Sequence, residues 1–237
     1  MAAANLADDG AGFQVSIHGS NGDAVAGSTL AVSSMPPLAF TDTEFLDADW
    51  RLVALASPPL PGLQFSASHA GSGGNPDAFR LLSLDLPLEV RTVNLLNTRT
   101  AAYDPAAQGA IYLIEFRLDC DIVAAAVDAS FSNYWLPALE QGGRLYLPDR
   151  NGGNSCFAPG WNTKAWLGFG ATAFKRVDGP ACGAGETCPD FSSQGAPIHL
   201  GLAYNVELRS PLPAASAASA PHFSQGLDNW KATVWRH

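Results

Sequence analysis

One stretch constrains the fold more than any other. From 197 to 208, Ile198, Leu200, Leu202, Tyr204, Val206 and Leu208 alternate with His199, Gly201, Ala203, Asn205 and Glu207. A strict two-residue period sends one set of side chains to each side of a pleated chain, so this is a strand with one apolar face. No helix can bury that set, because its period is 3.6 residues. The segment 110–120 repeats the pattern: Ile114, Phe116, Leu118 and Cys120 oppose Glu115, Arg117 and Asp119. A third such run spans 228–236, with Trp230, Ala232 and Val234 opposing Lys231, Thr233 and Trp235.

Shorter strand candidates fall at 13–17, 29–32, 51–55, 63–67, 79–84, 89–94, 123–127, 129–135, 143–147 and 164–169, with a short helix expected near 136–141. Turn formers separate them: 23 glycines and 17 prolines in 237 residues, concentrated in runs such as Gly71-Ser-Gly-Gly-Asn-Pro76 and Asp149-Arg-Asn-Gly-Gly-Asn154. Many short strands without alternating helices predict an all-β fold: an antiparallel β-sandwich of the jelly-roll type, concanavalin- or galactose-binding-like. We expect an irregular extension over 1–37 and one sandwich domain over 38–237. The Ala/Ser segment from Pro211 to Pro221 reads as a loop.

Composition narrows the partners. The formal charge is −9, which argues against nucleic acid or an anionic membrane surface. No apolar run approaches the ~18 residues that a membrane span needs. The opening Met1–Asn5 has neither a basic nor an apolar signal region. Four cysteines are present, and the turn-rich Cys182-Gly-Ala-Gly-Glu-Thr-Cys188 suits a small disulfide loop. That predicts an oxidising setting, secreted, periplasmic or cell-surface. Cys120 is either a buried thiol or the partner of Cys156.

Four segments in order carry a resemblance: Phe40-Thr-Asp-Thr-Glu-Phe-Leu-Asp-Ala-Asp-Trp50, Gly73-Gly-Asn-Pro-Asp-Ala-Phe-Arg80, Tyr103-Asp-Pro-Ala-Ala-Gln-Gly-Ala-Ile111 and Gly226-Leu-Asp-Asn-Trp230. Over about 40–237 the chain resembles a group of exported bacterial jelly-roll domains of laminin-type and carbohydrate-binding-module style, largely without an assigned activity. The resemblance implies a structural calcium between acids of the first strand, the Gly-Gly-Asn-Pro turn and the acid that opens the last strand. Asp77 stands where that pattern has a glycine.

The residues themselves suggest the same ion. Asp228 shares parity with Trp230 and Val234, and an inward carboxylate is costly unless it is paired or bound to metal. Glu44, Asp42, Asn75 and Gly73 would complete an oxygen shell for Ca2+. The competing reading makes Asp228 a turn cap and leaves the early acids solvated.

Sugar rings stack on flat aromatic faces, which makes Trp161 beside Asn162, and Trp135 beside Tyr134, the candidate glycan contacts; for any single Trp, burial in the core is the competing reading. His199 and Glu207 share the polar face of their strand and are the candidate catalytic groups. There is no GxSxG, HExxH, P-loop or dinucleotide fingerprint. The expected function is therefore binding of a glycan or extracellular surface by an exported, calcium-stabilised sandwich, with the question of catalysis left open and the balance against it. The alternatives are a lyase or hydrolase acting on polysaccharide in a sheet groove, and a structural or adhesion subunit.

Overall fold

The computed structural model describes residues 35–55, 61–86, 92–126, 131–148, 154–156, 160–177, 188–208 and 222–236, with four two-residue pieces nearer the start. Those pieces are β1 (Phe13–Gln14), β2 (Ile17–His18), β3 (Ala24–Val25) and β4 (Thr29–Leu30). β1 pairs with β4, and β2 with β3. The main architecture begins with β5 at Leu38.

Two antiparallel sheets follow. The first holds β13 (Asn162–Phe169), β10 (Ile111–Ala126), β16 (His222–Arg236), β8 (Asp77–Asp85) and β7 (Gln64–Gly74) in that order, and β5 (Leu38–Asp42) pairs with the far half of β16. The second runs β14 (Phe174–Arg176), β12 (Arg144–Pro148), β11 (Phe131–Gln141), β15 (Ile198–Leu208), β9 (Thr92–Tyr103) and β6 (Trp50–Ala54). The chain passes repeatedly from one sheet to the other, which makes this a jelly-roll β-sandwich, as the strand periodicities predict.

The core lies between the sheets. Ile114, Phe116, Leu118 and Cys120 of β10 face Ile198, Leu200, Leu202, Tyr204 and Val206 of β15, all essentially inaccessible to solvent. The two alternations read in the sequence are therefore the two inner faces. A Cys120–Cys156 disulfide, with Cα atoms 6.1 Å apart, ties β10 to a short segment that bridges Trp135 of β11. Cys188 is also disulfide-bonded; Cys182, its predicted partner, lies outside the described residues, as does the Pro211–Pro221 segment.

Three element assignments differ from expectation. Residues 136–141 are strand, because the alternation of Trp135 and Leu139 with Leu136 and Ala138 lets β11 bury both faces. The one α-helix among the described residues is the turn Pro105–Gln108, capped by Asp104, whose side chain accepts from Ala106 N at 3.0 Å. The runs 110–120 and 123–127 are parts of one strand, continued through a register shift between Ile122 and Ala124.

Candidate functional site

The acids predicted to share a calcium fall into two separate places. Asp42, at the end of β5, is buried. It accepts from Glu44 N at 3.0 Å, Phe45 N at 2.8 Å and Trp50 Nε1 at 2.7 Å, and it pairs with Arg99. Arg99 and Arg80 both lie over the Trp50 ring, 5.4 and 5.7 Å from its centre. Arg80 also donates to Asn97 Oδ1 at 3.1 Å and reaches Asp47 at 3.3 Å, while Arg99 stands 3.8 Å from Asp49. Burial lowers the pKa of both guanidiniums from the ordinary arginine value. The acids at 42–49 thus neutralise two arginines that cage a tryptophan. Glu44 is exposed and takes part through its backbone carbonyl, which lies 2.6 Å from His69 Nδ1. Neither Asp42 nor Glu44 joins Asp228, which corrects the predicted ligand set.

Asp228, Asn75 and Gly73 do come together, with a residue the periodicity had assigned to solvent. Asp119 of β10 is the cross-strand neighbour of Asp228 on β16. Arg117 pairs with Lys231 but Asp119 with Asp228, so β16 carries one extra residue there, and Asn229 takes a left-handed φ of 48°. This bulge puts Asp228 and Trp230 on opposite faces although they are two residues apart. Asp228 therefore points to the outer face of the first sheet, not inward as its parity suggested.

It is buried all the same, at 1% exposure, and Asp119 at 5%, because the 73–77 turn folds over them. Asn75 N donates to Asp228 Oδ2, and Asn229 N donates to Oδ1 at 2.6 Å. Asp119 Oδ2 accepts from the Asn75 and Asn229 side-chain amides at 3.1 and 2.9 Å, and its Oδ1 accepts from the Thr163 hydroxyl. A Cβ on Gly74 would stand 2.8 Å from Asp228 Oδ2, so only glycine lets the turn come this close. Burial raises the Asp228 carboxyl above the ordinary carboxylate range; the two backbone donors oppose this, and the Asp119 charge adds to it. No ion pair to either carboxylate is present among the described residues. Nor does any group of three His, Cys, Asp or Glu side chains stand together there.

Trp161 roofs this site. Its ring lies against Gly226, where a Cβ would come 2.5 Å from the indole, and edge-on to Phe79 at 5.4 Å. Its Nε1 donates to Gly73 O at 3.2 Å. Trp161 is thus packed into a protein contact. Asn162 beside it pairs with Cys120 at the edge of the sheet. Trp135 is fully buried against Tyr204, its Nε1 donating to Gln225 Oε1 at 2.9 Å, so the expectation of an exposed Trp135 platform is corrected.

Tyr134 faces the other way. It borders an open cleft of about 390 Å3 on the outer face of the second sheet, with Asn94, Lys175 and Arg176 as polar walls and Leu136 and Leu147 as floor. Asn205 Nδ2 donates to Asn94 Oδ1 at 2.7 Å and fixes that amide. His199 and Glu207 share this face but stand eight residues apart on β15, roughly 26 Å at ~3.3 Å per residue. They cannot act on one bond, which removes the predicted catalytic pair. His199 instead places Nδ1 3.1 Å from Arg99 O.

No helix among the described residues is long and apolar enough to cross a membrane. No protein-family model matches the sequence, and no curated protein matches it. Among solved structures, the chain is similar to the CBM22-1 xylan-binding domain of Xyn10C from Paenibacillus barcinonensis (9% identity, 84% of this chain and 94% of that one, TM-score 0.40). It is similar to a structure described as giving the basis for promiscuous specificity of carbohydrate-binding modules of the β-sandwich superfamily (8% identity, 92% and 72%, TM-score 0.42). It is similar as well to the mannan-recognising module TmCBM27 (11% identity, 83% and 99%, TM-score 0.40).

Proposed function

We propose that this chain is a glycan-recognition sandwich and that the outer face of its second sheet is the binding surface. The observation that carries the reading is the Tyr134 cleft. A phenol ring offers a flat face to the C–H side of a sugar, while the fixed Asn94 amide offers hydrogen bonds to hydroxyls and Lys175 and Arg176 border the cleft. The cleft is open, which suits a polymer passing through better than a small molecule enclosed. Binding is tested by titrating the protein with xylo-, manno- and cello-oligosaccharides. Tyr134→Ala is expected to weaken binding about tenfold, the equivalent of about 1.4 kcal/mol, in a chain that still unfolds cooperatively. Absence of binding to every oligosaccharide by the native chain would sink the reading.

The same proposal includes a structural calcium at Asp119 and Asp228. Its donors would be all oxygen: two carboxylates, the Asn75 and Asn229 amides after reorientation, and the Thr163 hydroxyl. That chemistry suits Ca2+, and two charges suit the weak end of its range, on the order of 10⁻⁴–10⁻³ M. Two adjoining carboxylates at 5% and 1% exposure support the fit, since burying like charges is costly without a counter-charge. The ion would pin the 73–77 turn to the last strand. An exported, oxidising location is part of the proposal, supported by the Cys120–Cys156 disulfide.

A further inference from the structure

On the outer face of the first sheet, β8 and β16 run side by side with His222 opposite Asp85 and Ser224 opposite Ser83. The side chains form a continuous relay. His222 Nδ1 is 2.7 Å from Asp85 Oδ1, His222 Nε2 is 2.9 Å from Ser224 Oγ, and Ser224 Oγ is 3.3 Å from Ser83 Oγ. With Asp85 ionised and His222 neutral, one arrangement of protons satisfies the relay. An ionised Asp85 can only accept, so Nδ1 of a neutral imidazole is the donor and Nε2 carries the lone pair. Nε2 therefore accepts from the Ser224 hydroxyl, which leaves the Ser83 hydroxyl to donate to Ser224 Oγ.

We propose that Ser224, His222 and Asp85 form a nucleophile–base–orienter triad for acyl transfer, with small-acyl esters as the substrate class. Such a triad is recognised by geometry and roles rather than by sequence position, which is why the lack of a GxSxG motif does not count against it. Ser224 Oγ attacks the ester carbonyl carbon while its proton passes to His222 Nε2. Collapse of the tetrahedral species breaks the bond to the alcohol oxygen, which takes that proton and leaves. Water then attacks the acyl-serine, gives a proton to Nε2, and releases the carboxylic acid with the hydroxyl restored. Asp85 orients the ring and stabilises the transient imidazolium. Ser83, 3.3 Å from Ser224 Oγ, would turn its one proton from that oxygen to the developing oxyanion once Ser224 has attacked.

Surroundings set the substrate class. Ser224 is 6% exposed and forms the floor, while His222 and Asp85 side chains are 39% and 43% exposed. Gln64 and Ser66, opposite Asp85 and Ser83 on β7, are exposed and polar, and Ala124 opposite Ser224 is small. The described neighbours are small or polar and offer no apolar wall to a long acyl chain, which is why the proposed substrate carries an acetyl-sized group. The triad lies on the opposite sheet from the Tyr134 cleft, so loss of either site is separable from loss of the other.

The test uses the full chain with a fluorophosphonate probe and p-nitrophenyl acetate, and locates the label by peptide mass spectrometry. The expected result is label on Ser224 and ester hydrolysis that falls at least about 100-fold in both Ser224→Ala and His222→Gln, with melting temperatures within a few degrees of the native chain. Ser83→Ala is expected to lower turnover about tenfold while Ser224 still labels. Two results would overturn the proposal: no label on Ser224 in the native chain, or hydrolysis that survives Ser224→Ala and is lost only in His222→Gln, which would make an exposed histidine the reacting group. Should Ser224→Ala fail to fold, Ser224→Cys serves in its place; a cysteine that does not acquire the acetyl group from p-nitrophenyl acetate counts against the triad.

Discussion

Two clusters of acids in this molecule carry opposite electrostatic solutions. Around Trp50, Asp42, Asp47 and Asp49 meet Arg80 and Arg99, and every buried charge has a counter-charge or a hydrogen-bond donor. Later in the chain, Asp119 and Asp228 lie side by side with amides, a hydroxyl and backbone N–H groups as their partners. The first group is closed by protein alone. The second holds two negative charges that neutral donors solvate but do not cancel, and that is the physical sense in which it suits a cation. Clustering of acids in a sequence therefore says little about a metal site; the absence of a basic side chain near buried acids says much more.

Three substitutions sharpen the contrast. The largest effect is expected from Asp42→Ala, which strands Arg99, the Trp50 indole N–H and two backbone donors together; unfolding by urea should show a loss of about 3–5 kcal/mol, with or without calcium. A loss under about 1 kcal/mol would mean that the arginine cage is not closed by Asp42. Next is Gly226→Ala. The new methyl group meets the Trp161 ring, so the roof over the acid pair must shift, at about 1–3 kcal/mol and with a change in tryptophan fluorescence. Unchanged fluorescence and stability would show that Trp161 does not rest on this strand. The smallest is Asp119→Asn. At roughly ten times its dissociation constant, calcium should stabilise the native chain by about 1.4 kcal/mol, raising the melting temperature by about 3–6 °C. The variant should lose that rise, yet be no less stable than the native chain in chelator, since one of two repelling charges is gone. A native chain whose melting is the same in calcium and in chelator would end the calcium proposal.

Much of the fold was legible because burial imposes a period on the sequence. The alternation in 197–208 is the inner face of β15, and that in 110–120 is the inner face of β10. The site was legible only in part. Asp228 and Asn75 stood out as residues, but Asp119 shares its parity with Glu115 and Arg117 and looks like one more solvated acid. What buries it is a turn more than forty residues earlier in the chain, and nothing local signals that. The parity argument also failed at Asp228, because one extra residue in β16 reverses the faces on either side of it. Trp135 and Tyr134 show the same limit: adjacent in sequence, they point to opposite sides of β11, and only the sheet order says which side is the core.

By itself, then, the sequence determined that this chain must pair strands and bury one side of each, since two-residue alternation with frequent turn formers has no other stable solution. Which strands became neighbours was decided by the tertiary structure. That choice set Asp119 against Asp228, closed arginines over the early acids, and aligned Asp85, His222 and Ser224 across two strands. Pairing between distant segments depends on how whole faces fit, and a chemical site made of single side chains from each inherits that dependence.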